Sequence, residues 1–371
     1  MFEVIIDDEW VLKKIAYWAN LSRVKTIAPG FSITWDDILS NKAVQTFMKS
    51  IRMDFDTFKP LHNKALELEK FVFMTHSRYR DHLSHSIRVA ALGHFLLKQV
   101  LTFPSKQMRM SLNEYFCLNK LFTPEDFTKS WWIASFFHDI CYPMAKFFSS
   151  TKTLIDEMNQ TFSPLAIIPS DHLFKLGINK EETEDFVDIL SNIIKDSVNT
   201  GVYQKFTNIL EKTLNSENPD HGILGALILL MLTQGDHDEM LMEAAKAIAL
   251  HNIDGIEIVL EEQPLPGFLA LCDEVQDWGR EIREINGGFH SRFKTRVLVS
   301  NMKLTVDDDK LIFHSTIEDG LNFKKTGFRF EEFQKGKIRK IGRIIRKENY
   351  ASSFVIHYDV KGKSYQFSLS I

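Results

Sequence analysis

A histidine followed directly by an aspartate occurs twice in this sequence, and the two settings point to different chemistry. His237-Asp238 lies in the polar run Gln234-Gly235-Asp236-His237-Asp238-Glu239, just before an apolar-periodic segment. Helix capping and a favourable helix-dipole charge account for it there. His138-Asp139 instead follows Trp131-Trp132-Ile133-Ala134-Ser135-Phe136-Phe137, a setting that buries the carboxylate. A lone buried carboxylate is costly or becomes protonated, so it needs a cation, a metal ion or several hydrogen bonds. A metal ion supplies the largest compensation; an arginine or lysine partner is the alternative.

Comparable settings recur along the chain. Upstream, Arg80-Asp81-His82-Leu83-Ser84-His85-Ser86-Ile87-Arg88-Val89-Ala90 puts His85 among small and apolar residues on a helix running to Leu97. Downstream come Asp220-His221-Gly222-Ile223-Leu224, then Ala247-Ile248-Ala249-Leu250-His251-Asn252, then Leu269-Ala270-Leu271-Cys272-Asp273-Glu274. Each embeds a histidine or aspartate in an otherwise core-facing helix. Imidazoles and carboxylates converging from several helices are how bundles build metal centres. For His221 and His251 a plainer reading stands beside this one: a helix start at Asp220, and a satisfied core histidine.

In this order the residues resemble the HD superfamily of metal-dependent phosphohydrolases, whose pattern is a histidine, the His-Asp pair, further histidines in some branches and a late aspartate. The resemblance spans roughly residues 76 to 285. It implies that His85, His138, Asp139 and Asp273 hold one divalent ion. In the binuclear branches Asp139 bridges to a second, completed by His221 and His251. It also implies hydrolysis of a phosphoester or phosphoanhydride, with a nucleotide or cyclic nucleotide as the expected substrate. A divalent ion lowers the pKa of bound water from about 15.7 to about 7, and two ions can hold nucleophile and phosphoryl oxygens together. Mixed nitrogen and oxygen ligands without thiolate suit Mn, Fe, Zn, Ni or Mg alike.

Other residues near the pattern have candidate roles. His82, beside the first ligand, matches a histidine that related phosphodiesterases use to protonate the leaving group; pairing with Asp81 or Arg78 at the surface is the alternative. Asp277 and Arg280 follow Asp273 at i+4 and i+7, which predicts one shared helix face. Arg280 is then placed to meet a substrate phosphate and Asp277 to orient a ligand histidine, or the two to form an ion pair, as Arg280 could with Glu284. Arg88 and Lys146 are further phosphate-binding candidates. The sequence departs from some branches: Cys141-Tyr142-Pro143 follows the His-Asp pair where a Gly-Lys can stand, and no Gly-Tyr-Pro follows His251. Lysine assistance and the cyclic-dinucleotide branch are thus unsupported. No GxxxxGK[ST] loop, GxGxxG fingerprint or GxSxG elbow is present.

The elements that must position these groups read as mainly α, an all-helical domain over residues 1–286 followed by a small α+β domain over 287–371. From Phe2 to about Ile285 the apolar residues recur at helical spacing, as in Leu241, Ala244, Ala245, Ile248 and Ala249. Thr123-Pro124-Glu125-Asp126 offers a cap, an early proline and two early acids, a helix start. Insertions fall near 102–128 and 150–215, the second suited to a lid or interface. Beyond Gly288 the period becomes two: Phe354 to Val360 and Tyr365 to Ile371 form one hairpin, Lys303 to Val306 and Leu311 to Ser315 another. Between them, residues 329–347 read as a helix.

Composition bounds the remaining choices. Hydrophobic residues are 44% and charged residues 25% of 371, which excludes wholesale disorder, and the formal net charge of −4 calls for no nucleic acid or acidic membrane. Cys117, Cys141 and Cys272 are odd in number and lack CxxC spacing, so a reducing, cytoplasmic setting is expected. The opening MFEVIIDDEWVLKKIAYW puts acids where a signal peptide needs bases, and no apolar run reaches the ~18 residues of a membrane span. Locally, residues 324–348 are basic, with Lys335, Lys337, Arg339, Lys340 and Arg343 among ten cations against three glutamates. This segment could contact a polyphosphate, a nucleic acid backbone or an acidic partner, or be a solvated helix face. The leading expectation is a metal-dependent phosphohydrolase whose C-terminal domain serves regulation, oligomerisation or partner binding. A sensor that keeps the metal cage without turnover and a nucleic-acid-associated effector are the rivals.

Overall fold

In a computed structural model the chain is described over residues 1–18, 55–75, 82–103, 108–118, 122–149, 180–215, 219–235, 238–283, 295–297, 299–307, 310–317, 330–345, 353–360 and 363–370. Strand β1 (Phe2–Ile6) leads into α1 (Asp8–Trp18), where Asp7 Oδ1 accepts from the Trp10 amide at 2.8 Å. Helix α2 (Phe55–Thr75) lends Glu69 to the start of α3 (Leu83–Leu97). One oxygen of that buried carboxylate accepts the amides of His82 at 2.6 Å and Leu83 at 3.3 Å, satisfying donors that a helix start leaves open.

The hairpin of β2 (Val100–Phe103) and β3 (Met108–Ser111) and the short α4 (Leu112–Cys117) precede α5 (Pro124–Phe137). The sequence predicts helix throughout this part, so the hairpin is a correction, as is β1. Five-residue runs such as Phe2–Ile6 are too short for helical periodicity to compete with pairing. Helix α5 begins as its sequence predicts, with the Thr123 hydroxyl accepting the Asp126 amide and Pro124 in the first turn. Residues 142–149 are also helical. Within the second predicted insertion, the described part forms α6 (Lys180–Ser197) and α7 (Thr200–Leu214). Next come α8 (His221–Leu232), α9 (Glu239–Leu250), the two-residue β4 (Ile258–Val259) and α10 (Pro264–Val275).

The core is a closed ring of helices: α3 packs on α5, α5 on α9, α9 on α8 and α10, and α10 back on α3. Their residues are apolar on nearly every side, as expected for helices surrounded by others. Leu241, Ala244, Ala245, Ile248 and Ala249 of α9 are all buried, as their spacing predicts. Asp238 caps α9, its carboxylate accepting the Met240 amide at 2.9 Å, which bears out capping at the second His-Asp pair; His237 itself lies outside the described residues.

Strands β5 (Glu281–Arg283) and β6 (Thr295–Val297) pair antiparallel; β7 (Met302–Val306) and β8 (Lys310–Ile317) form the first predicted hairpin. Helix α11 (Phe330–Ile341), β9 (Ile344–Ile345), β10 (Ser353–Val360) and β11 (Lys363–Ser370) follow, the last two forming the other hairpin. One five-stranded sheet results, in the order β1-β7-β8-β10-β11. All its pairings are antiparallel except β8 with β10, which are joined through α11. Parallel neighbours need such a crossover. Helix α11 rests on α10, and β9 pairs with β4, so the C-terminal part touches the helical ring.

Candidate metal centre

Six side chains from five helices meet inside the ring. His85 lies in the first turn of α3, His138 caps the C-terminus of α5 with Asp139 next to it, and His221 opens α8. His251 caps the C-terminus of α9 and Asp273 lies in the last turn of α10. Ligand atoms of His85, His138, Asp139 and Asp273 lie within 4.8 Å of one another, and so do those of Asp139, His221 and His251. Asp139 belongs to both groups. All six residues that the sequence points to are brought together.

Hydrogen bonds fix which ring nitrogen each histidine presents. His138 Nδ1 is 2.7 Å from the carbonyl of Ser135, and His251 Nδ1 is 2.7 Å from that of Ile248. A carbonyl only accepts, so Nδ1 carries the proton and Nε2 keeps its lone pair. The carbonyls at helix C-termini lack partners within the helix, which is why such positions can hold an imidazole. His85 reaches the same state through a side chain: its Nδ1 bonds Gln276 Oε1, while Gln276 Nε2 donates to the Trp278 carbonyl at 2.6 Å. That second bond orients the amide, leaving its oxygen for the imidazole. His221 Nδ1 lies 3.5 Å from the Asn252 amide.

The Nε2 atoms converge on the carboxylates. His85 Nε2 is 2.7 Å from Asp273 Oδ1, His221 Nε2 is 3.2 Å from Asp139 Oδ1, and His251 Nε2 is 4.0 Å from the same oxygen. His138 Nε2 is buried with no hydrogen-bond partner among the described residues; the nearest oxygens of Asp139 and Asp273 are 3.7 and 3.8 Å away. A buried lone pair without a donor is unfavourable unless a cation fills the gap. Nitrogen and carboxylate donors, each held from behind, suit a divalent ion. These residues fit one or two such ions.

Electrostatics agree. Burial acts to raise the Asp139 carboxyl, but His138 and His82 together with hydrogen bonds from His221 and His82 outweigh it and hold it well below the usual range. Asp273 behaves likewise: burial is overcome by the nearby imidazoles of His138 and His85. Both carboxylates therefore stay ionised. Burial, then His138 and His221, push His251 down to about 3. Burial and then Arg280 also lower His85.

The remaining predicted residues surround this cage. His82 Nδ1 bonds the other oxygen of Asp139 at 2.7 Å, and its ring stacks on Tyr142 at 3.5 Å between centroids. Burial, opposed by Asp139, pushes it down to about 3. Arg280 is buried with Nη2 3.5 Å from His82 Nδ1. Arg88 points away from the cage: Nε and Nη2 bond the two oxygens of Asp8 at 2.7 and 2.9 Å. Its guanidinium also lies against Gly279, where φ is +68° and an added Cβ would sit 2.9 Å from Arg88 Nε. The Asp8–Arg88 pair thus supports the turn that carries Arg280. Lys146 is half-buried one helical turn beyond Tyr142.

The shared helix face predicted for Asp273, Asp277 and Arg280 is not formed. Helix α10 ends at Val275, and Gln276 turns the chain out at ψ 93°. Asp277 faces Lys337 of α11, 3.2 Å away. The alternative partners Arg78, Asp81 and Glu284 lie outside the described residues, as do Lys324, Lys325, Arg329, Arg346 and Lys347 of the basic segment. Sequence reasoning missed Gln276, Tyr142 and Asn252. Amides and phenols carry no spacing signature; adjacency to Asp273, Asp139 and His251 was the only signal.

No protein-family model, no curated protein and no solved structure matches this chain. Among the described residues, no helix is long and apolar enough to cross a membrane.

Proposed function

We propose that the chain is an HD-type metal-dependent phosphohydrolase that cleaves a phosphoester or phosphoanhydride, with a nucleotide or cyclic nucleotide as its substrate class. The observation that carries this reading is the pair of ligand groups sharing Asp139. A structural ion would need only one closed set, whereas two adjacent sets suit the clamp that phosphoryl transfer requires. Divalent ions, when bound there, supply Lewis-acid activation of water and neutralise phosphoryl charge.

The chain's own residues do the rest. His85, His138, His221 and His251 present Nε2 inward, and Asp139 and Asp273 balance the ionic charge. Arg280 offers a fixed cation beside the cage, suited to a phosphate oxygen. His82, held between Asp139 and Tyr142, is the side chain beside the cage that we assign to proton transfer as the ester bond breaks. The nucleic-acid reading has less support, because Lys337, Lys340 and Arg343 of the basic segment face inward onto α9 and α10.

The test is twofold. Purified protein should contain divalent ion that Asp139→Ala removes; a metal-free wild type would end the reading. A screen of nucleotides and cyclic nucleotides with Mn²⁺ or Ni²⁺ then separates enzyme from sensor, since tight binding without turnover would favour the sensor.

A further inference from the structure

The cations of α11 and the turn after it are arranged around the ends of two ligand-bearing helices. Arg343 is buried; its Nη1 donates to the Ile253 carbonyl at 2.7 Å and its Nη2 to the carbonyl of His251. The His251 carbonyl belongs to the C-cap of α9, where the helix dipole also favours positive charge, and the Ile253 carbonyl to the loop that follows. The Arg343 carbonyl in turn accepts the Ile258 amide at 2.9 Å, within the β4–β9 pairing. His251 is therefore held at its ring by Ile248 and at its own backbone by Arg343.

The second contact lies beside Asp273. Lys340 bonds Glu274 Oε1 at 2.6 Å. Lys337 bonds the Glu274 carbonyl and lies 3.4 Å from Glu274 Oε2 and 3.2 Å from Asp277 Oδ2. Glu274 and Asp277 are both buried, and Glu274 directly follows the ligand Asp273 in the chain. Without the lysines Glu274 would add a buried charge one residue from Asp273 and compete with it for a cation.

We propose that α11 and β9 form a positioning clamp on the metal centre. Arg343 sets the place of His251, and hence of the ion shared by Asp139, His221 and His251. Lys337 and Lys340 keep Glu274 out of the coordination sphere of the ion shared by His85, His138, Asp139 and Asp273. The inference rests on the metal reading but goes beyond it, since it makes a distant segment of the chain decide how evenly two ions are held. None of the three cations is a catalytic residue; each acts through a ligand.

Mn²⁺ titrated into the full, chelator-treated chain tests this, with the ratio of the two dissociation constants as the readout. A merely structural role would weaken both ions together and leave that ratio unchanged. Arg343→Gln should weaken the second ion by about 10- to 100-fold relative to the first, the usual effect of losing a group that holds a ligand from behind. Arg343→Lys, which keeps the charge and one carbonyl bond, should move the ratio the same way by less, and it carries the test if the glutamine variant does not fold. Lys337→Gln combined with Lys340→Gln should move the ratio in the opposite direction. A wild type that binds no Mn²⁺ overturns the metal reading and this inference together. A wild type that binds two ions, with the ratio unchanged in the Arg343 variants, overturns this inference alone.

Discussion

His138 and His251 occupy the same place on their helices. Each is the C-cap residue, and each bonds the carbonyl three residues back through Nδ1 at 2.7 Å. Their surroundings differ. His138 ends a helix sealed by α3, with Trp131 bonded to the Ala90 carbonyl and Trp132 to His94. His251 ends a helix whose C-cap carbonyl, with a carbonyl of the following loop, is taken by an arginine from some ninety residues away in sequence. One local device serves both, but core packing supports the first and a distant arm the second. Identical first contacts need not give ligands of equal rigidity.

Removing either ligand should separate the two corners most. His138→Ala should lose the ion shared with His85 and Asp273 and weaken the other through Asp139, whereas His251→Ala should lose only the second; metal content per chain, by atomic emission, distinguishes them. Gly222→Ala is the next largest effect. An added Cβ would stand 2.6 Å from the Ile248 carbonyl and 3.1 Å from the His251 ring, forcing α8 from α9. Overpacking of this kind costs about 1–3 kcal/mol, read as a lower Tm, and here it should also weaken the second ion. At the first corner, Gln276→Leu removes the oxygen that holds His85 and should weaken the first ion by about 10- to 100-fold while sparing the second. Equal weakening of both would show that the corners are not independent.

The smallest effect concerns the core behind His138. His94 accepts from Trp132 Nε1 at 2.8 Å, and burial followed by nearby Lys98 pushes it down to about 3. Its folded pKa lies below the unfolded value of about 6.5, so the unfolded chain binds the extra proton first. Stability is unaffected above that value and falls as pH drops from about 6.5 toward 3. His94→Gln, which keeps an acceptor for Trp132, should flatten the fall by about 2 kcal/mol at pH 5 in urea titrations. An unchanged pH profile would assign the acid sensitivity elsewhere.

Much of this was legible in the sequence because the governing interactions are local or periodic. The spacing of apolar residues in α9 marks its buried faces, and Thr123-Pro124 starts α5 through contacts three residues long. Alternation outlined both hairpins near their observed registers. The cage residues stood out because a carboxylate after seven mostly apolar residues demands compensation. What stayed hidden depends on distant partners. The sequence cannot show that β8 and β10 lie parallel, since that choice belongs to the crossover through α11. A run of lysines and arginines looks the same whether it faces solvent or, as at Lys337 and Arg343, clasps helix ends. Gln276 carries no charge to betray it, and where α10 stops decided which way Asp277 points.

The ligands are spread from residue 85 to residue 273 over five helices or helix ends. No fragment of the chain short of the closed ring gathers them. An ion held there binds the folded chain and not the unfolded one, so it draws the folding equilibrium toward the native state by RT ln(1 + [L]/Kd), about 4 kcal/mol at a thousand times Kd. With such an ion bound, the folded population would follow the free divalent ion around the molecule, and a chelator would lower it.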